Sequence, residues 1–330
     1  MLATEMILHE QWHRLIADAR RILLVAHKKP DGDTLGATGA ILQYLMREGK
    51  QVTAFCADPV PESYRYLPNW QQFTSNPAAW QEPYDLICVF DAGDLRYAGV
   101  ADFYASMPTK PPVVNIDHHA TNERFGAMNL LFTDASSTAE VVFRFLESRN
   151  IFIDGHMATC LLTGIVFDTS NFINPATNAV CIRAASHLLI CGARVSDIMS
   201  SLIRNKTVPA LQLWGRALER IRENPALGIA STIVTLEDMR ETGVEGSDAV
   251  EGIANFLTAV LNVPVVMVLR EMPDGYVKGS LRSSTKDVAA VAKLLGGGGH
   301  KKAAGFTVKG ELEERDGIWQ VKPAAEALSA

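Results

Sequence analysis

Four short stretches of this 330-residue chain each end an apolar run with side chains that bind cations well. They are His27-Lys28-Lys29-Pro30-Asp31-Gly32-Asp33, Asp91-Ala92-Gly93-Asp94, Asp117-His118-His119, and Asp168 within Val166–Asn171. A carboxylate at the end of a buried strand is costly to desolvate unless a cation accompanies it. Asp31 and Asp33, two apart in extended backbone, point the same way, and Pro30 and Gly32 favour a fixed, tight loop. Each stretch also has a plain reading: a surface turn at 30–33, a helix cap at Asp94, a local hydrogen bond for the histidine pair. Taken jointly, carboxylates and imidazoles at strand or helix ends of one sheet suit a pair of divalent transition ions, manganese foremost. Two ions about 3.5–4 Å apart can activate a water and clamp a phosphoryl group during in-line attack.

A second constellation lies near the C-terminus. Gly296-Gly297-Gly298-Gly299-His300 follows a helical pattern and precedes Lys301-Lys302-Ala303-Ala304-Gly305-Phe306. Glycines let backbone N–H groups approach an anion closely, although a glycine run alone is also a flexible loop. Between residues 278 and 302 six Lys/Arg stand against one acid, Asp287, a local charge of +5 in a chain of net −6. That concentration marks an anion site. Gly279-Ser280-Leu281-Arg282-Ser283-Ser284 adds hydroxyls and a guanidinium on an expected strand, and arginine favours bidentate phosphate contact.

The elements that must position these groups alternate. Residues 6–20 have helical spacing and lead into the apolar run Ile22–Ala26, which has the character of a central parallel strand. Helix 35–47, strand 51–56, a proline-rich loop region over 57–83, and strands 86–90 and 113–116 follow. Ser137-Thr138-Ala139-Glu140 has capping-box spacing. Asp154 can cap a helix through Cys160–Val166 that ends at Asp168; because that run is apolar on every side, a strand is the alternative. This order predicts an α/β fold, an N-terminal doubly wound, mainly parallel sheet with its site at the carboxyl ends of the strands. The expected division is a catalytic metal-binding domain over 1–192, a helical linker over 193–226 and a smaller α/β domain over 227–330. In the latter, strands are expected at 229–236 and 264–270, helices at 247–261 and 287–295, a Pro273-Asp274-Gly275 turn into strand 276–281, and a polar, peripheral tail element over 311–330.

Length favours two domains. Composition, 48% apolar and 21% charged, is that of a soluble protein, and the charge of −6 argues against coating of long duplex nucleic acid. Five cysteines with no CxxC pair read as buried free thiols, which fits a cytoplasmic location. Glu5 and Glu10 interrupt the N-terminal apolar pattern, so it is not a signal peptide, and the apolar runs are too short to span a membrane.

The ordered set HxxPDGD, DxGD, DHH and FDT resembles the DHH phosphoesterase superfamily, which includes RecJ-type exonucleases, family II inorganic pyrophosphatases and nano-RNase/pAp phosphatases. The likeness runs from about residue 20 to about 310. It implies one metal on His27, Asp31 and Asp91, and a second on Asp33, Asp91, His118 and Asp168, with Asp91 bridging. Asp117 would orient a metal-binding imidazole, and His119 would contact the phosphoryl oxygens or assist the leaving group. GSLRS followed by GGGGHxxAAG resembles the DHH-associated C-terminal domain, in which Arg282 and Ser283 would grip a substrate phosphate and Gly298, Gly299 and His300 would form the facing wall. The resemblance thus leads to two divalent ions, Mn2+ foremost, and hydrolysis of short oligoribonucleotides to 5′-mononucleotides, with pAp as a further substrate. Cyclic or linear dinucleotide phosphodiesterase activity is the alternative; a RecJ-like exonuclease or a non-catalytic nucleotide-binding regulator fits less well. A homodimer is a family expectation.

Overall fold

The computed structural model describes residues 3–203, 206–244, 249–250, 252–283, 285–315 and 318–322. The chain divides into two units, Met1–Asn205 and Lys206–Ala330.

In the first unit, α1 (Ala3–Asp18) leads into β1 (Arg21–Ala26), α2 (Gly32–Arg47), β2 (Gln51–Cys56) and a two-residue β3 (Phe73–Thr74). Then come β4 (Leu86–Phe90), α3 (Ala101–Ser106), β5 (Val113–Asp117) and β6 (Met128–Leu131). Four helices close the unit: α4 (Thr138–Ser148), α5 (Gly155–Asp168), α6 (Ala179–Ile190) and α7 (Val195–Ile203). The six strands lie in the order β3-β2-β1-β4-β5-β6, every neighbouring pair parallel. The central strands β1, β4 and β5 are buried almost throughout, which explains their unbroken apolar runs. Strand order reverses between β1 and β4, the topological switch point where open parallel sheets place their ligands.

The run 155–168 is a helix, settling the helix-or-strand alternative. It is apolar all round because it packs among α2, α4 and α6. Its approach to α2 needs missing side chains: a Cβ at Gly36 would sit 2.3 Å from the Cys160 carbonyl oxygen. Gly32 serves close approach as well, since a Cβ there would meet Phe167 Cβ at 2.8 Å. The five cysteines are free thiols, four of them buried.

In the second unit, α8 (Val208–Glu219) precedes β7 (Arg222–Asn224), β8 (Ile229–Val234), α9 (Leu236–Glu241), α10 (Ile253–Val260), β9 (Val265–Met272) and β10 (Tyr276–Ser283). α11 (Val288–Leu294), β11 (Gly298–His300), β12 (Ala303–Lys309), β13 (Glu311–Arg315) and β14 (Ile318–Lys322) complete it. A mixed sheet runs β11-β12-β10-β9-β8-β7, and β13 pairs with β14.

The expected linker over 193–226 is instead shared between the units. α7 lies in the first unit and contacts α5. In the second, Leu213 and Ala217 of α8 are core residues, and the Ala217 carbonyl accepts from Thr232 Oγ1 on β8. The tail holds a hairpin, with Leu312 buried in the unit's core. The expected helix over 247–261 begins at Ile253; residues 245–248 and 251 lie outside the described residues. No single helix among the described residues is long and apolar enough to cross a membrane.

Candidate metal centre and anion site

The first unit delivers its polar groups from three strand ends and the ends of three helices. His27 follows β1. Its backbone N–H donates to Thr34 Oγ1 at 3.2 Å, and its Nδ1 lies 2.8 Å from the Lys28 carbonyl oxygen. With Nδ1 so engaged, Nε2 faces Asp31 Oδ2 at 3.7 Å and Asp91 Oδ2 at 3.5 Å. Asp31 does double duty, since its Oδ1 caps α2 by accepting from Asp33 N and Thr34 N. Asp91 follows β4 with φ +58°, a left-handed conformation that costs a non-glycine residue about 1–3 kcal/mol. Such strain is concentrated at functional sites.

Asp91 Oδ1 faces the other way, 3.8 Å from His118 Nε2 and 3.4 Å from His119 Nδ1. Asp168, the last residue of α5, brings Oδ2 to 2.9 Å from His118 Nε2, and Asp33 Oδ2 lies 4.0 Å from the same nitrogen. Two groupings result, His27/Asp31/Asp91 and Asp33/His118/Asp168, each with ligand atoms within 4.8 Å of one another. Asp91 belongs to the first, and its Oδ1 lies 3.8 Å from His118 Nε2 of the second. A third grouping of Asp91, Asp117, His118 and His119 is as compact, but Asp117 Oδ1 already accepts from three N–H groups.

The donor set fits divalent cations. His118 Nε2 is buried and, despite its nearness to Asp168, is not aligned for a hydrogen bond with any group. Its Nδ1 lies 3.3 Å from the Ala135 carbonyl oxygen, so Nε2 is the ring nitrogen that faces the carboxylates. A cation is what such an arrangement lacks. The charges agree. Burial pushes Asp33 well up, aided by the carboxylates of Asp168 and Asp91, and Asp168 is raised chiefly by burial. Burial opposes charging of His27 and His118, yet neighbouring carboxylates outweigh it and raise them to about 11 and about 9. Burial likewise opposes ionisation of Asp91, but His119 and His27 hold it far below the usual carboxylate range. Around the His27 and His118 imidazoles the carboxylates thus favour positive charge.

Asp117 departs from its expected role. Oδ1 accepts from the backbone N–H of His118 (2.7 Å) and of His119 (3.1 Å) and from His119 Nδ1 (2.9 Å). It therefore orients the imidazole of His119, while the Ala135 carbonyl steadies His118. His119 is about half exposed, at 47% for its side chain, and raised to about 11 because Asp117 and Asp91 outweigh burial. Asp94 is a turn cap, with Oδ1 accepting from Arg96 N and Tyr97 N. Spacing alone missed the N-terminus of α4. There Thr138 N and Ala139 N donate to Asp33 at 2.6 and 2.8 Å, and Thr138 Oγ1 donates to Asp91 Oδ1 at 2.9 Å. The Ser137-Thr138-Ala139-Glu140 pattern was the available signal.

In the second unit, Arg282 is half-buried, and burial lowers its pKa. Nε donates to Asn255 Oδ1 at 2.7 Å and Nη1 to the Leu281 carbonyl at 3.0 Å; Nη2 has no hydrogen bond among the described residues. Ser283 contradicts its expected phosphate contact. It is buried, its hydroxyl donates to the Pro264 carbonyl at 2.6 Å, and it accepts from Thr285 N and Lys286 N. The expected glycine loop is in part a strand, because Gly298, Gly299 and His300 pair with Gly305, Ala304 and Ala303. Gly299 has φ +136°, and a Cβ there would meet the Ala303 carbonyl oxygen at 2.6 Å. At Gly298 a Cβ would meet nothing within 4 Å. Arg282 pairs with Ala303, which pairs with His300, so the three share one row across the sheet.

Residues 21–165 match the DHH family, N-terminal domain, and residues 239–321 match the DHHA1 domain. The doubly wound sheet with its carboxylate and imidazole centre, followed by this second domain, makes the class plain: the chain belongs to the DHH family of phosphoesterases. Among named relatives, it is 30% identical to the bifunctional oligoribonuclease and PAP phosphatase NrnA of Thermus thermophilus, over 90% of this chain and 88% of that protein. It is 28% identical to the cyclic-di-AMP phosphodiesterase GdpP of Geobacillus thermodenitrificans, over 87% of this chain but only 44% of that protein. In structure it resembles an exopolyphosphatase-related protein from Bacteroides fragilis, with TM-score 0.83, 26% identity and coverage of 91% and 90%.

Proposed function

We propose that this protein hydrolyses short oligoribonucleotides to 5′-mononucleotides, and pAp to AMP, with two divalent metal ions, Mn2+ in the first place. The observation that carries this reading is the pair of adjacent three-residue groups, with Asp91 a member of the first and its Oδ1 3.8 Å from His118 Nε2 of the second. The choice of substrate is supported by similarity to an oligoribonuclease and PAP phosphatase over 90% of this chain and 88% of that protein. The mixed carboxylate and imidazole donors suit manganese. Five free thiols are in keeping with the cytoplasm.

His27, Asp31 and Asp91 would hold one ion, and Asp33, Asp91, His118 and Asp168 the other. When bound, such a pair neutralises phosphoryl charge and makes a water acidic enough to attack near neutral pH. His119, with Nδ1 tied to Asp117, presents Nε2 to the substrate, where it donates to a phosphoryl oxygen or to the departing 3′-oxygen. Water adds to phosphorus, the bond to the 3′-oxygen breaks, and that oxygen leaves with a proton. Arg282 offers Nη2 to a second phosphate on the substrate, while Gly298 leaves room for a ligand to approach the backbone of β11.

The test is a substrate panel with purified, Mn2+-loaded protein: pAp, pApA, longer RNA and a cyclic dinucleotide. AMP should form from pAp and pApA. If both stay intact the reading is lost, and faster turnover of the cyclic dinucleotide would transfer it to the phosphodiesterase alternative.

A further inference from the structure

The short segment 135–139 touches three metal-site residues at once. The Ala135 carbonyl meets His118 Nδ1, Thr138 N and Ala139 N donate to Asp33, and Thr138 Oγ1 donates to Asp91 Oδ1. The segment is itself fixed. Glu140 Oε2 accepts from Ser136 N at 2.9 Å and Ser136 Oγ at 2.6 Å, and its Oε1 accepts from Arg144 Nε at 2.9 Å. Ser136, Ser137, Thr138 and Glu140 are fully buried.

Of these contacts, the Thr138 hydroxyl bond serves neither the helix nor the packing. The cap of α4 is met by Ser137 Oγ accepting from Glu140 N, and valine would fill the same volume. What the hydroxyl does reach is the carboxylate whose two oxygens face different histidines. The terminal torsion of an aspartate is broad and roughly two-fold, so an unrestrained Asp91 could turn both oxygens toward one side. A hydroxyl donor removes that freedom, and it leaves Oδ1 with lone-pair capacity for a further partner.

We propose that Thr138 is a positioning residue for the shared carboxylate: its hydroxyl sets the rotation of Asp91, keeping Oδ1 toward His118 while Oδ2 faces His27. This rests on the reading of Asp91 as the common ligand of two ions. Partners that orient a ligand in this way typically account for about 10–100-fold in metal affinity.

The test is calorimetric titration of the metal-free full-length protein with Mn2+. The wild type should take up two ions per chain. Thr138→Val should keep one near wild-type affinity and weaken the other about 10–100-fold, whereas Thr138→Ser, which retains the hydroxyl, should bind both as the wild type does. Wild-type affinities in Thr138→Val overturn the proposal. So does an equal loss in Thr138→Ser, because it would trace the effect to the methyl group. If the valine variant does not fold, Thr138→Ala is set against Thr138→Ser, and equal affinities there are again fatal. A wild-type protein that binds fewer than two ions removes the two-ion reading and this proposal with it, before any variant is made.

Discussion

At the scale of single residues, the site is a balance between protons and cations. His27 and His118 have folded pKa values raised from 6.5 to about 11 and about 9 by carboxylates that outweigh burial. Groups raised in this way add stability that is complete below the unfolded value and is lost as pH climbs through the folded one. Raised Asp33 and Asp168 shift stability in the same direction. The metal-free protein should therefore lose thermal stability as pH rises from about 6.5 to about 9. Saturating Mn2+ should flatten that slope, because cations then stand where the protons were. Melting curves across this range, with and without Mn2+, test it; a metal-free melting temperature that is flat with pH would contradict the assignment. The aspartates and histidines were legible in sequence because each ends an apolar run. Thr138 was not, since its partner Asp91 is 47 positions away and only the fold brings them together. Ser283 misled for the same reason: spacing shows a hydroxyl, not that its bonds are already made.

At the scale of elements, the site depends on how closely α2 and α5 approach, because α2 carries Asp33 and α5 ends at Asp168. Gly36 permits that approach, and Gly164 permits the next contact, where a Cβ would fall 2.5 Å from both Ala139 Cβ and Asp33 Oδ1. Gly36→Ala drives a methyl into the Cys160 carbonyl, part of a buried helix with little room to yield. Overpacking of this kind costs about 1–3 kcal/mol, which a urea unfolding midpoint will report. An unchanged midpoint would mean that the helices separate freely. Periodicity located α2, α4 and the central strands well, since amphipathic spacing and buried runs are local signals. It left α5 open between helix and strand, because a helix buried on every side has no polar face. It passed over β6, four residues long and mostly half-buried.

At the scale of the whole molecule, two units of different chemistry are joined in an acidic chain. One concentrates carboxylates and imidazoles, and the other carries the +5 stretch 278–302. The charge imbalance was visible in the sequence; the place where the units divide was not, because α8 looks like a charged surface helix until its Leu213 and Ala217 are seen in the second unit's core. If Arg282 binds a substrate phosphate, Arg282→Ala removes a charge-assisted contact of about 1.5–3 kcal/mol. KM for pApA should then rise about tenfold or more while Mn2+ binding stays unchanged. An unaltered KM would free Arg282 of that role. The central claim is that one shared carboxylate, Asp91, makes the centre competent for phosphoester hydrolysis. The most direct measurement is pApA hydrolysis by wild type and Asp91→Ala, both shown to be folded, across a range of Mn2+ concentrations. The account predicts AMP formation that depends on Mn2+ in the wild type and none in the variant at any concentration; turnover retained by Asp91→Ala would contradict it.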